Sequence, residues 1–284
     1  ASGNSVDKAL SIINADPERQ VVVVSAPGKR TEDDIKVTDL MITYAYMSLR
    51  SNNYQDIATR IFKRYELIAQ YFELPEAELE DIKQLLLTLP KLSYPNNDYR
   101  MATFKAHGER LNAILIAKIL NHQGIKARFL EPKDVGLIVT GTSNNAEVNP
   151  ETYVNLKRIK AAKDEKIIFP GFYGITPSGH IATFSRGGSD ITGAILARGL
   201  NADLYENFTD VDAIFSANPH IVDQPKPIKR MTYQEMRELS YAGFSVFHDE
   251  ALIPAIQGEI PVNVKNTNAP EKPGTMIVPE DGFI

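Results

Sequence analysis

Hydrophobic residues along the chain fall into two spacings. Four consecutive valines, Val21 to Val24, run into Ser25 and Ala26. A short unbroken apolar run ended by small residues predicts a parallel strand at 20–26, buried on both faces. At 36–49 the apolar positions Val37, Leu40, Met41, Tyr44, Ala45 and Leu49 recur at helical steps, which predicts a helix with one buried face. Similar patterning predicts helices at 5–15, 54–71, 96–122, 150–162, 191–200, 233–242 and 250–256. Another is predicted at 75–89, opened by Pro75 and rich in early glutamates. Gly124 is placed to cap the long helix at 96–122. Strands are predicted at 127–130, 166–170, 180–184, 203–208 and 260–264, the last of alternating type. The tail from residue 266 carries Pro270, Pro273 and Gly274, then an apolar Met276-Ile277-Val278. Strands alternating with helices imply an α/β fold with a mostly parallel sheet.

Composition narrows the picture. A chain of 284 residues with 43% hydrophobic content can bury a large core, as one large domain or two small ones. A net charge of −5 without a Lys/Arg cluster does not predict a nucleic-acid surface. Without cysteine there are no disulfides and no thiolate zinc site. His107, His122, His180, His220 and His248 are scattered without a ligand spacing, and no metal site is expected of them. No run approaches the roughly 20 apolar residues of a membrane helix, so no membrane partner is expected and a cytoplasmic location fits. The chain opens Ala1-Ser2-Gly3-Asn4-Ser5, without methionine, and further sequence is expected upstream in the gene.

Chemistry concentrates where strands end. The run Phe184-Ser185-Arg186-Gly187-Gly188-Ser189-Asp190 leads from a predicted strand into a predicted helix. Unpaired N–H groups at a helix start attract phosphate, and glycines let the backbone approach it. The spacing matches neither the Walker pattern nor G-x-G-x-x-G, and a plain capped turn is the competing reading. Three other segments end strands with glycine, hydroxyl or carboxylate: Val24 to Gly28, Phe169 to Gly174, and Phe208 to Asp212. In an open parallel sheet ligands sit at the carboxyl ends of strands, so the four segments predict a shared cleft.

In this order the segments resemble the amino-acid kinase family, and within it the aspartate kinases. Val22-Val23-Val24-Ser25-Ala26 with Thr38-Asp39 resembles that family's second strand and substrate threonine. His107-Gly108-Glu109 resembles its substrate-binding His-Gly-Glu, and Gly171-Phe172 with Gly174 its Gly-Phe-Ile-Gly loop. Arg186-Gly187-Gly188-Ser189-Asp190 matches its hallmark. Thr209-Asp210-Val211-Asp212-Ala213-Ile214-Phe215, then Asn218-Pro219, resembles its nucleotide-binding segment. Asn218 stands where the family often has aspartate, and Ser245 where a lysine is common. The family's first strand carries a Lys-Phe-Gly-Gly-Ser/Thr-Ser loop, and this chain begins where that loop would just have ended; an inactive fragment is the expectation.

The resemblance implies a three-layer α/β/α sandwich with a mostly parallel central sheet. Residues 1–165 would form an amino-acid-binding lobe with a helical insertion at 54–89, and 166–284 an ATP-binding lobe. Regulatory ACT-type modules follow the kinase domain in full-length aspartate kinases and are not expected within this chain. The reaction implied is phosphoryl transfer from ATP, with Mg²⁺, to the side-chain carboxylate of L-aspartate, the first step of lysine, threonine and methionine biosynthesis. A homodimer is an assembly the resemblance allows.

The resemblance also assigns roles. Asp190 organises the metal or a lysine at the transferring phosphate. Glu109 receives the substrate ammonium and Arg186 the α-carboxylate, with Thr38, Phe172, Gly187, Gly188 and Ser189 completing the substrate site. Thr209, Asp210, Phe215, Asn218, Ser245 and Val246 contact the nucleotide. Each has a structural alternative: a helix carboxylate for Asp190, a solvated residue for Glu109, a surface arginine for Arg186, a cap for Thr38, core packing for Phe172 and Phe215. Gly108 costs a helix roughly 1 kcal/mol, which predicts a group in close approach there. His107, His180 and His248 are read as structural. Competing functions are a kinase of glutamate or acetylglutamate, and a non-catalytic nucleotide- or amino-acid-binding module.

Overall fold

The computed structural model describes residues 3–51, 53–185, 187–209, 214–215, 226–243, 249–280 and 282. The first half of the chain gives α1 (Gly3–Ala15), β1 (Val21–Val24), α2 (Val37–Arg50), α3 (Gln55–Tyr71), α4 (Glu80–Thr88), α5 (Asn97–His122), β2 (Ala127–Phe129) and α6 (Pro132–Val135). Then follow β3 (Val139–Thr142), β4 (Asn145–Val148), α7 (Glu151–Leu156), β5 (Lys166–Pro170), β6 (Tyr173–Ile175), β7 (Ile181–Thr183) and α8 (Gly188–Gly199). The remainder gives β8 (Tyr205–Thr209), β9 (Ile214–Phe215), β10 (Pro227–Ile228), β11 (Arg230–Thr232), α9 (Tyr233–Tyr241), α10 (Ile253–Gln257), β12 (Val262–Asn266) and β13 (Thr275–Val278).

The valine run forms β1, which pairs in parallel with β5 from Val21–Ile167 to Val24–Pro170. β2 pairs in parallel with the other edge of β5. All of β5 is buried, whereas the four valines are each half-buried because β1 is an edge strand. Fully two-faced burial thus belongs to β5 rather than to β1. The alternation is as expected of a strand between two layers. Val22, Val24 and Ile168 pack on a core built by α1 to α5, with Met41, Tyr44, Ile61, Phe104 and Leu115. Val21, Val23 and Phe169 pack on a second core with Val139, Phe184, Ile195 and Leu196. Helices on one face and α8 with the hairpins on the other give the three layers.

Four strands form a second sheet in the order β11-β13-β12-β8. β12 runs parallel to β8 and antiparallel to β13, and β13 runs parallel to β11. β12 lies inside this sheet, so it is buried at four of its five residues instead of alternating. The apolar Met276-Ile277-Val278, given no element from its pattern, is part of β13. A third core, with Met231, Leu252, Val262, Val264 and Ile277, covers this sheet.

Two further predictions change, and one element is new. The 150–162 helix stops at Leu156, where three-residue bonds from Arg158 N–H to Asn155 and from Ile159 N–H to Leu156 tighten and end it. Residues 180–184 join no parallel sheet. β7 instead folds back antiparallel on β6, through a turn in which Gly179 takes φ 89, a value that favours glycine. A second hairpin, β3 with β4, was not legible in the pattern.

The two sheets are tied together by charge. Arg19, just before β1, donates to both carboxylate oxygens of Glu206 on β8, at 2.7 and 3.1 Å. Lys265 of β12 reaches the same carboxylate at 3.5 Å.

Candidate active site

The ends of β1 and β5 lie side by side, with Gly171 N–H donating to Val24 O at 3.0 Å. The start of α8 presses against both. Ser25 Oγ donates to Ser189 Oγ at 2.8 Å. A Cβ on Gly171 would stand 2.7 Å from Ser189 Cα and strike its hydroxyl, so this junction closes only around glycine. Gly187 caps α8 at φ 67, and a Cβ there would lie 2.5 Å from that of Ala251. The first N–H groups of α8 have no intrahelical acceptor and carry partial positive charge. Gly187, Gly188 and Ser189 thus stand together at the junction as the sequence predicts, although α8 follows a hairpin strand and not a strand of the parallel sheet.

Phe172 adopts φ 87, a conformation that costs a non-glycine residue on the order of 1 kcal/mol or more. Its N–H donates to Thr192 Oγ1 at 3.0 Å, and its carbonyl accepts from Phe184 N–H at 2.9 Å. Its ring turns toward Lys105 of α5, whose ammonium is 6.0 Å from the ring centroid.

Asn96 caps α5 by accepting from Tyr99 N–H, and the helix carries His107, Gly108 and Glu109 under the end of β1. A Cβ on Gly108 would lie 2.9 Å from Ala26 Cβ and 3.9 Å from Thr38 Oγ1. The expected close approach is therefore the strand end itself, with Thr38 beside it in the first turn of α2. Glu109 is 5% exposed. Its Oε1 accepts from Ala26 N–H at 3.0 Å, and its Oε2 is buried with no partner among the described residues. Burial pushes this carboxyl up to about 8, against the opposing pull of the Ala26 N–H. A solvated surface glutamate is excluded. Next to it, Asn112 Nδ2 donates to Ser25 O at 2.7 Å and fixes the strand end.

His107 is structural, as read from the sequence. Arg110 Nη1 can only donate, so His107 Nε2 accepts from it at 3.2 Å and Nδ1–H donates to Thr103 O at 2.7 Å. Burial first, and Arg110 second, depress the imidazole to about 4. The loop between β1 and α2 is pinned by buried Arg64, which donates to Ile35 O and Gly28 O, each at 2.6 Å, and lies 3.4 Å from Asp34.

Asp190 lies in the first turn of α8. Its Oδ1 accepts from Asn207 Nδ2 at 2.9 Å, and its carbonyl accepts from Tyr205 OH at 2.9 Å. Both partners sit on β8, so this carboxylate is oriented by the second sheet. Thr209 ends the same strand, its carbonyl accepting from Thr267 N–H at 2.8 Å. Among the described residues no three His, Asp or Glu side chains converge to hold a metal. Arg186, Asp210, Asn218, Ser245 and Val246 lie outside the described residues, and of Phe215 only the backbone, paired with Pro227, is described.

Thr38, Glu109, Phe172, Gly187, Gly188, Ser189 and Asp190 thus surround one junction. Sequence reading missed Ser25, Lys105, Asn112 and Asn207 as members. Ser25 stood in a quoted motif, and Lys105 and Asn112 lie one helical turn from Glu109 on either side or nearly so. Asn207, inside an apolar strand, gave a weaker signal.

Comparison with known proteins agrees with this geometry. The chain is 52% identical over 278 residues to aspartokinase 3 of Bacillus subtilis, covering 98% of this chain and 61% of that protein. Its structure superposes on the crystal structure of Clostridium acetobutylicum aspartate kinase with a TM-score of 0.82 and 36% identity, over 100% of this chain and 61% of that one. Escherichia coli aspartokinase III, crystallised with lysine and aspartate, has the same fold at a TM-score of 0.85 and 24% identity, over 99% of this chain and 63% of that one. The chain therefore spans about three fifths of the length of these relatives. The profile of the amino acid kinase family matches residues 2–266, which takes in every element of the junction described above, and the chain belongs to that family.

Proposed function

We propose that this chain is the catalytic part of an aspartate kinase, which transfers a phosphoryl group from ATP to the side-chain carboxylate of L-aspartate. The observation that carries this is Glu109, a buried carboxylate whose Oε2 has no partner among the described residues, held by the β1 end whose Ser25 meets Ser189 at the phosphate-attracting start of α8. An α-ammonium at Oε2 would compensate the buried charge. The resemblance to proteins named aspartokinase and aspartate kinase supports the same substrate.

The acceptor carboxylate is ionised at neutral pH and needs no general base. The work is positioning and charge neutralisation. Glu109 holds the ammonium, Arg186 the α-carboxylate, and Thr38 and Phe172 the walls of the amino-acid pocket. The backbone at Gly187, Gly188 and Ser189 faces the transferring group. Thr209, Asp210, Phe215, Asn218, Ser245 and Val246 form the nucleotide side. Mg²⁺ arrives with ATP as part of the substrate, and Asp190, aimed by Asn207, is the carboxylate placed to meet it. Residues 1–165 form the lobe that serves the amino acid and 166–284 the lobe that serves the nucleotide, with Phe172 and Arg186 contributed to the amino-acid pocket from the second. Coupled ADP release by the full-length enzyme with L-aspartate, L-glutamate and N-acetyl-L-glutamate is the test. Turnover confined to aspartate is expected. Turnover of glutamate or acetylglutamate at a similar rate would overturn the assignment, and so would aspartate binding without any ADP release, which marks a binding module.

A further inference from the structure

Lys105 is one helical turn before Glu109 on α5, so the two side chains share a face with Cβ atoms about 5–6 Å apart. It is half-buried, and its ammonium donates to Asn144 Oδ1 at 3.0 Å. Asn144 is a neutral partner, and no carboxylate pairs with Lys105 among the described residues. A half-buried cation without a counter-ion is costly; burial alone pushes this ammonium below its ordinary value.

The surroundings of Lys105 all belong to the rim of the junction. Its ammonium faces the Phe172 ring. Asn144 sits in the turn of the β3–β4 hairpin. That turn is fastened to the chain leading into α8: Thr183 N–H donates to Ser143 O at 2.7 Å, and Ser185 Oγ donates to Asn145 Oδ1 at 2.9 Å. The helix therefore carries an unpaired carboxylate oxygen at the end of β1 and, one turn before it, an uncompensated ammonium that faces the Phe172 ring. An α-amino acid carries the opposite pair on one carbon, an ammonium and a carboxylate.

We propose that Lys105 is a substrate-binding residue that holds the α-carboxylate of the amino-acid substrate, with the 143–145 hairpin turn keeping its ammonium in place. This rests on the aspartate kinase reading above and extends it. Lys105 and Glu109 read the zwitterion from one helix. The side chain of the substrate is left to point at the start of α8.

The test compares the wild-type enzyme with Lys105→Met and Lys105→Arg. KM and kcat are measured for L-aspartate, along with the inhibition constant of its α-amide, which keeps the ammonium and side-chain carboxylate but lacks the α-carboxylate charge. Lys105→Met should raise KM for aspartate roughly tenfold or more, the loss of one charge-assisted hydrogen bond, with kcat within a factor of about three. Lys105→Arg should recover most of the loss. The inhibition constant of the α-amide should be nearly the same for wild type and Lys105→Met. An unchanged KM for aspartate overturns the proposal. Equal losses for aspartate and the α-amide also overturn it, since they show a packing role against Phe172. A wild-type enzyme that neither binds nor turns over aspartate overturns the functional assignment itself and the role of Lys105 with it.

Discussion

Glu109→Gln separates the binding role of this side chain from its cost to the fold. In the ligand-free protein its carboxyl is displaced from the ordinary 4.5 to about 8, chiefly by burial. The sign follows from proton counting. Between those values the folded protein keeps a proton that the unfolded chain has released, so stability falls as pH rises across the interval and levels off above about 8. At about 1.4 kcal/mol per pH unit, the penalty for the ionised form is on the order of a few kcal/mol. Glutamine keeps an acceptor for Ala26 N–H and has no charge to desolvate. Below pH 5 the two proteins should melt alike. By pH 9 the variant should melt higher, by roughly 5–10 °C for a protein of this size. L-Aspartate should reverse the order, because its ammonium pairs Oε2. The rise in melting temperature that it gives the wild type should grow from pH 6 to pH 9 and nearly vanish in the variant. In turnover, KM for aspartate should rise at least tenfold while that for ATP changes little. The assay is thermal unfolding across pH 5–9 with and without aspartate, followed by steady-state kinetics. Parallel melting profiles for the two proteins would refute the buried, uncompensated carboxylate; an unchanged KM for aspartate would refute its role in binding.

Three other substitutions test the junction. Asp190→Ala should abolish turnover with the fold intact by circular dichroism; a variant retaining more than about a tenth of the rate, a loss under 1.4 kcal/mol, would rule out a catalytic carboxylate. Gly171→Ala places a methyl against Ser189, so kcat should fall by a factor of about ten or more as β5 and α8 are forced apart, and normal kinetics would show that the close approach is not needed. Arg64→Met strips donors from the carbonyls of Gly28 and Ile35 and a partner from Asp34; the expected loss is about 2–4 kcal/mol in urea unfolding, and a change below about 0.5 kcal/mol would mean that the loop holds itself.

What could be read from the sequence follows physical range. The helices at 37–50, 55–71 and 97–122 were legible because many residues repeat one signal. Gly108 was legible because glycine inside a helix has a local cost that something must explain. β1 was read as deeply buried because a valine run cannot say how many neighbours a strand has. The two hairpins escaped because each strand is three or four residues long, too short for a period to declare itself. Phe172 was found by motif, but its φ of 87 is a property of the closed junction. Asn207 and Lys105 matter through what they face across the fold, Asp190 in one case and Phe172 in the other.

The hydrogen bond between Ser25 and Ser189 joins residues 164 positions apart. Closing so long a stretch is entropically expensive and slow compared with forming a helix or hairpin. Glu109 meets Ala26 across 83 positions, so this contact can form earlier, within the first half of the chain. On a ribosome the amino-acid side of the pocket can therefore assemble while the glycines of α8 are still unsynthesised, but the phosphate-facing side cannot. Binding of aspartate alone and binding of aspartate together with nucleotide would then report two successive stages of the same folding reaction. A mutation that slows the docking of α8 would delay the second without touching the first.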